Sequence, residues 1–317
     1  MTETTSPKYP RGTPRKHHYV PRGYLAGFCE LGTERIAVYD RERNQFRDRQ
    51  RIAEVAHIKD YYAVEQEDGK KEFGIEAWLA ALESDALKII RKLDRGLRIS
   101  SNDRQLLSVY AAFQFTRTPT YQDRTDSLGV AIVKGKLNDL FRDEASARET
   151  MKSPSFAEST ASPSQMVEFV KELDVDIMRI ASLDAMVNNA PEFAEGLLRL
   201  DWTILRRPSN QTAFITTDSP FTLISGPEHP TGPYDVGLLT PGVEKILPLS
   251  QSCVLLMQDS GSSFGERTLS RDEVRGINNL LASSCRHLLF GRDIAHLKRI
   301  VADSGVDKQK WLSYQSP

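Results

Sequence analysis

Apolar residues recur at helical spacing through the middle of the chain. Ile75, Trp78, Leu79, Leu82, Ala86, Ile89 and Leu93 fall on one stripe, which predicts an amphipathic helix. Gly96 is expected to stop it, and Ser100 to Asp103 supplies caps for the next. That second helix is predicted from about Asn102 to Arg117. Thr118-Pro119 ends it, because a residue before proline avoids the α region. A further helix is expected over Gln122 to about Phe141. Residues 142–164 are rich in Ser, Thr, Ala and Pro and read as an exposed loop. A long helix is then predicted from about Gln165 to Asn188. Val170, Leu173, Ile177, Ile180 and Met186 form its apolar face, and Pro191 marks its end.

The flanks are strand-like. Arg35 to Tyr39 reads as a strand ending at Asp40, and Tyr61 to Val64 as another. Between them Arg41, Arg43, Arg47, Arg49 and Arg51, partly balanced by Glu42 and Asp48, read as a solvated charged surface. Toward the C-terminus, 201–207 and 212–217 are expected to form a hairpin through Pro208-Ser209-Asn210-Gln211. Ile246 to Leu249 and Cys253 to Met257 predict two more short strands. The Gly/Pro-rich stretch 225–244 has the composition of a binding loop or lid. Ser270 and Glu273 form a capping box before a helix containing Ile277, Leu281 and Leu288, closed by Gly291. Strands at both ends of a helical middle predict an α+β fold, with terminal strands, mainly antiparallel, sharing a sheet. The expected organisation is a basic arm over 1–16, one globular domain over 17–301 and a tail over 302–317.

Charge narrows the partners. The chain of 317 residues carries 42 Lys and Arg against 43 Asp and Glu, so no global field steers it onto nucleic acid or membrane. Basic character is local: Lys8, Arg11, Arg15, Lys16 and Arg22 make a patch that is either solvated or a nucleic-acid contact. No apolar run approaches the roughly 20 residues of a membrane helix, so no membrane partner is expected. The first eighteen residues lack the apolar core of a secretory leader. Cys29, Cys253 and Cys285 are too widely spaced for a zinc site and odd in number, which suits single buried thiols in a reducing cytoplasm.

Five short motifs occur in a fixed order. They are His17-His18-Tyr19-Val20-Pro21 with Tyr24-Leu25 and Phe28; Val38-Tyr39-Asp40; Gln114-Phe115-Thr116-Arg117-Thr118-Pro119; Phe214-Ile215-Thr216-Thr217-Asp218-Ser219-Pro220; and Leu247-Pro248-Leu249-Ser250 ahead of Asn278-Asn279. Their order and spacing resemble the domain-of-unknown-function family 4238, found widely in bacteria, from about His17 to Val301. The resemblance implies one domain and no particular chemistry.

Within these motifs a few side chains are chemically able. His17 and His18 suit a general base, a metal ligand or a phosphate partner; equally, a ring nitrogen bonded to backbone would pin the N-terminal segment. Gln114 and Arg117 share a helix face. Arg117 there is either a complement to the helix dipole or a guanidinium fork for phosphate or carboxylate. Asp218 follows an apolar run, a place equally suited to metal or base work and to closing an Asx-turn. Asn278 is an amide on an apolar stripe and must find partners. No phosphate-binding or dinucleotide glycine loop, nucleophile elbow or His-Glu-x-x-His pair is present.

The first functional expectation is a hydrolase acting on a phosphate-bearing substrate, nucleic acid or nucleotide. Asp218 would bind a divalent ion or activate water. His17 or His18 would serve as base, with His18 as the second metal ligand. Arg117 would stabilise charge and Gln114 orient substrate. The alternative is a non-catalytic protein binding an anionic ligand or a protein partner. A third reading makes all of these folding residues.

Overall fold

The computed structural model describes residues 15–65, 71–72, 74–209, 213–226, 236–259 and 263–306. The expected N-terminal arm lies outside these residues up to position 14; Arg15 and Lys16 are already part of the fold. Strand β1 (Lys16–His18) leads into the short helix α1 (Arg22–Leu25), and β2 (Arg35–Asp40) and β3 (Gln45–Arg51) form a hairpin. β4 (His57–Lys59) pairs antiparallel with β1, and β5 (Val64–Glu65) with β6 (Lys71–Glu72). The helical middle holds α2 (Gly74–Asp94), α3 (Ser101–Thr116), α4 (Pro119–Leu140), α5 (Glu144–Thr150), α6 (Pro163–Glu172) and α7 (Arg179–Leu198). Then come β7 (Asp201–Arg206), β8 (Thr216–Thr217), β9 (Thr222–Ile224), β10 (Glu244–Pro248), β11 (Cys253–Gln258) and β12 (Phe264–Thr268). The chain closes with α8 (Arg271–Ser284), β13 (Leu288–Gly291) and α9 (Ile294–Ser304).

The fold is α+β, as the pattern predicted, and strands from both ends do share a sheet of order β3-β2-β13-β8. A second sheet runs β12-β7-β11-β10-β9, antiparallel except for the β12–β7 pair. One apolar cluster joins α1, α2, α3 and α7 to the second sheet through Tyr24, Phe28, Tyr110, Met186 and Trp202. Another packs α8 and α9 on the first sheet through Tyr39, Leu281, Leu289, Leu297 and Ile300.

The caps were read correctly. Ser100 and Asp103 exchange side chain-to-backbone bonds at the start of α3, and Ser270 and Glu273 do so at α8. Thr118 caps α4, whose first residue is Pro119, where a missing N–H costs nothing.

Other expectations are corrected. Within 142–164, Asp143 caps α5 and Ser162 with Gln165 caps α6, so the Ser- and Pro-rich composition marked helix starts as well as loop. The single helix over 165–188 is two: the chain leaves the helix after Glu172, and Asp176 turns its carboxylate onto the Ile177 N–H, 2.9 Å away. Pro191 does not end α7. Leu183, Met186, Ala190, Ala194 and Leu197 carry one buried stripe past it, while Pro191 is exposed, so packing outweighs the lost hydrogen bond. Residues 45–51 are an exposed edge strand rather than plain charged surface, while Tyr61-Tyr62 form a turn. Leu288 and Gly291 belong to β13, not to the helix before it, and α9 occupies part of the expected tail. Val306 is buried, and residues beyond it lie outside the described ones.

The expected hairpin of 201–207 with 212–217 does not form. β7 pairs with β11 and β12, whereas β8 joins the other sheet beside β13. Of the loop expected over 225–244, residues 227–235 lie outside the described residues and Glu244 begins β10. Ala213 to Ile215 run buried without a strand ladder. Asn278 supplies the missing partners: its Nδ2 donates to the Ala213 carbonyl at 2.9 Å and its Oδ1 accepts from the Ile215 N–H at 3.1 Å. Among the described residues no helix is long and apolar enough to cross a membrane. Asn278→Ala leaves two buried backbone groups unpaired and is expected to lower stability by about 2 kcal/mol or more in urea denaturation, with the m-value unchanged.

Candidate functional site

The segment from His57 to Ala63 forms a wall between two cavities, and its adjacent tyrosines line opposite ones. Tyr61 lines a cavity of about 830 Å³, together with Tyr19, Gln122, Arg179, Asp218 and Arg286. Tyr62 lines a smaller one of about 140 Å³ with His18, Glu76, Glu83 and Arg117.

Three of the five expected site residues meet Tyr62: His17 through its ring, and His18 and Arg117, which also line the smaller cavity. His17 is wholly buried on β1; its Nδ1 accepts from the Tyr62 backbone N–H at 2.8 Å, and its Nε2 lies 3.3 Å from Glu76 Oε2. Its ring stacks on Tyr62 at 5.6 Å. Burial pushes the Glu76 carboxyl up, with His17 pulling it back. Arg117, the C-cap of α3, donates from Nε to the Tyr62 hydroxyl at 3.1 Å, from Nη1 to Glu83, and from Nη2 to the His18 carbonyl at 2.7 Å. Burial opposes its charge, but the Tyr62 hydroxyl and the Glu83 carboxylate outweigh that and raise its pKa above the ordinary arginine value.

The His18 ring meets His57 edge-on at 5.5 Å, and its Nε2 is buried without a hydrogen-bond partner. Its pKa is pushed down to about 4, by burial first and then by His57 and Arg22. A cavity of this size holds a few waters, one of which would serve that nitrogen. Gln114 is wholly buried on α3, and its Nε2 bonds the Tyr110 hydroxyl. It lines neither of these two cavities, and its Oε1 is buried without a hydrogen-bond partner.

Asp218 is placed elsewhere. Its Oδ1 accepts from the Arg286 N–H at 3.0 Å, and its Oδ2 from the N–H groups of His287 and Leu288 at 2.7 and 3.1 Å. Its own N–H donates to the Leu288 carbonyl at 3.0 Å. The carboxylate therefore fixes the entry into β13, the turn-closing alternative. Burial raises its pKa, against the pull of the backbone donors and of His287. Asp218 and His18, the expected metal pair, line different cavities. Among the described residues no group of three or more His, Cys, Asp or Glu side chains is arranged to hold a metal ion.

The larger cavity was not read from the sequence as a site. Its polar lining comes from the turn after β4, the start of α4, the start of α7 and the loop before β13. Arg179 donates from Nη1 to Gln122 Oε1 at 2.6 Å and from Nη2 to the Tyr61 carbonyl, and its guanidinium lies over the Tyr61 ring at 4.3 Å. Because Gln122 accepts from Arg179, its Nε2 is left as a donor, and that atom is buried without a partner. The Tyr61 hydroxyl and Arg286 Nη1 are also buried and unpartnered. Arg286 Nη2 pairs with Asp123, and the Ser182 hydroxyl donates to Asp126 at 2.8 Å. Burial raises the Asp126 carboxyl above the usual range. None of Gln122, Arg179 and Arg286 stands at a motif spacing that announces a site. They meet only through the fold.

This whole frame, from β1 to the start of α9, is that of a family. The family described as "Protein of unknown function (DUF4238)" matches residues 16–294, and the chain belongs to it. Comparison with curated proteins and with solved structures found no match.

Arg117 carries a structural load. Arg117→Ala strands Glu83 and two other acceptors and is expected to cost about 3 kcal/mol or more in denaturant unfolding. Lysine at 117 rescues little, because a point charge cannot reach three separate acceptors. His18 contributes to the pH dependence of stability. Its folded pKa lies below the ordinary 6.5, so its share of stability is present above 6.5 and is lost as pH falls toward about 4. Unfolding midpoints measured across that window are expected to decline less steeply in His18→Gln than in the parent protein.

Proposed function

We propose that the protein binds a small, acceptor-rich anion in the larger cavity, between the Tyr61 turn and the first turns of α4 and α7. The observation that carries this reading is the group of three orphaned polar atoms on the lining side chains: Tyr61 hydroxyl, Gln122 Nε2 and Arg286 Nη1. All three can donate, and two can do nothing else. Leaving a buried donor unmade costs about 1–3 kcal/mol, so a cluster of them favours a ligand rich in acceptors. The volume of about 830 Å³ suits a metabolite-sized molecule.

Four acids line this cavity, and each is engaged within the chain, Asp126 through the Ser182 hydroxyl. Asp60 pairs with Arg15, Asp123 with Arg286, and Asp218 with three backbone amides. Arg179 hydrogen-bonds two neutral oxygens, and its charge, which also acts on Asp126, stands at the cavity where a guest would meet it. Tyr19 and Tyr61 add flat apolar surface beside it. Binding is favoured over hydrolysis because the acid that hydrolysis would use, Asp218, spends both oxygens on the backbone and is separated from Arg117 and His18.

Tyr61→Phe tests the reading, since it removes one buried hydroxyl that makes no well-formed hydrogen bond, Arg179 being the cation that acts on it. The ligand-free variant is expected to match the parent within about 1 kcal/mol. Thermal unfolding is measured with inorganic phosphate, sugar phosphates, nucleoside monophosphates, dicarboxylates and short RNA. At about 100 times its Kd, a ligand adds about 2.7 kcal/mol to the parent protein. That gain is expected to shrink in Tyr61→Phe and in Gln122→Met. A panel with no stabilising member, or a gain equally large in both variants, overturns the proposal.

A further inference from the structure

A separate cavity of about 360 Å³ lies between α8 and α9, far along the chain from the tyrosine wall. Arg271 and Arg275 line it from successive turns of α8, and Arg299 and Asp303 from successive turns of α9. Three arginines thus line the cavity beside one acid, Asp303, and the charge of Asp272 also acts on Arg275. Arg275 Nε donates to Asp303 Oδ2 at 2.8 Å and ties the two helices together. Of the two acids in the first turn of α8, Glu273 is taken by Arg267 and by the Ser270 backbone N–H.

A second, independent observation comes from His296. Its side chain lines the same cavity and is 8% exposed, yet its Nδ1 has no hydrogen-bond partner. The ring stays neutral at ordinary pH, since burial and the neighbouring Arg292 push its pKa down to about 4. A neutral imidazole can place its proton on Nδ1 and donate. Asp293 caps α9 by accepting from the His296 backbone N–H at 2.7 Å, which fixes where the ring stands.

We propose that this cavity is an anion site that takes a phosphate-type oxyanion, held by the guanidinium groups of Arg271, Arg275 and Arg299 over the His296 ring. Guanidinium groups match a tetrahedral oxyanion through paired N–H donors, and an imidazole N–H adds one short bond from below. Nothing here depends on the larger cavity having a ligand.

The test titrates the full chain with inorganic phosphate in a calorimeter, at ionic strength held constant with sodium chloride. Imidazole nitrogen resonances are followed in parallel. The parent protein is expected to bind with Kd below about 1 mM. Arg271 and Arg299 are exposed, so the double variant Arg271→Gln/Arg299→Gln keeps its fold, which circular dichroism checks. It is expected to bind at least about tenfold more weakly, about 1.4 kcal/mol. The His296 ring resonances shift with phosphate in the parent, and Tyr61→Phe leaves the titration unchanged. Three results overturn the proposal: no saturable binding, binding undiminished in the double variant, or binding that moves His57 or His287 and leaves His296 still.

Discussion

A guanidinium taken out of water must be met by partners, and Arg117 is 3% exposed. Desolvating such a charge costs several kcal/mol, which only good geometry with several acceptors offsets. The acceptors come from separate elements: the His18 carbonyl on β1, the Tyr62 hydroxyl after β4, and Glu83 on α2. One charge at the end of α3 therefore fixes the relative placement of three other segments. Tyr62 passes the constraint on, because its backbone N–H is bound by His17, whose second nitrogen faces Glu76 on α2. With Tyr62 held on one side of the wall, Tyr61 is delivered to the other, over Arg179 and into the larger cavity. The candidate binding site thus depends on an ion pair that does not line it.

What the sequence made legible was local. Ser100 with Asp103 and Ser270 with Glu273 each lie within one turn, so chain proximity alone brings the partners together. The same holds for the apolar stripe of α2 and for the β2 strand. What escaped was set at a distance. Pro191 reads as a stop until the stripe from Leu183 to Leu197 is seen to be buried on both sides of it. The stretch 213–217 alternates like a hairpin strand, but its partners are Asn278 and β13.

The site residues divide in the same way. Arg117, Asp218 and the histidines were singled out as chemically able, and their abilities are indeed used. A fork that would grip phosphate grips Glu83 and a carbonyl instead; a carboxylate that would hold a metal holds the amides of Arg286 to Leu288. Residue type announces a strong interaction without saying whether its partner is a ligand or the chain itself. Glu83 is 34 residues from Arg117, and Arg286 is 68 from Asp218, so spacing carried no hint of either pairing.

That distinction decides where function is sought. A polar side chain whose demands are met within the chain is explained by folding. Among the buried polar atoms left without a partner, those of Tyr61, Gln122 and Arg286 meet in one cavity, and that of His296 lines another. In the sequence these four have no prominence, because none lies in a dense motif of reactive types. Each acquires meaning only when a cavity is present and the competing acceptors are already taken. Asp123 and Asp218 matter here in a negative sense. By occupying Arg286 Nη2 and its backbone N–H, they leave Nη1 as the one guanidinium nitrogen still seeking an acceptor, given that Nε already bonds His287. A site built from leftovers in this way is specified by the whole fold. The same ion pairs that stabilise the wall also select which donor remains for a guest.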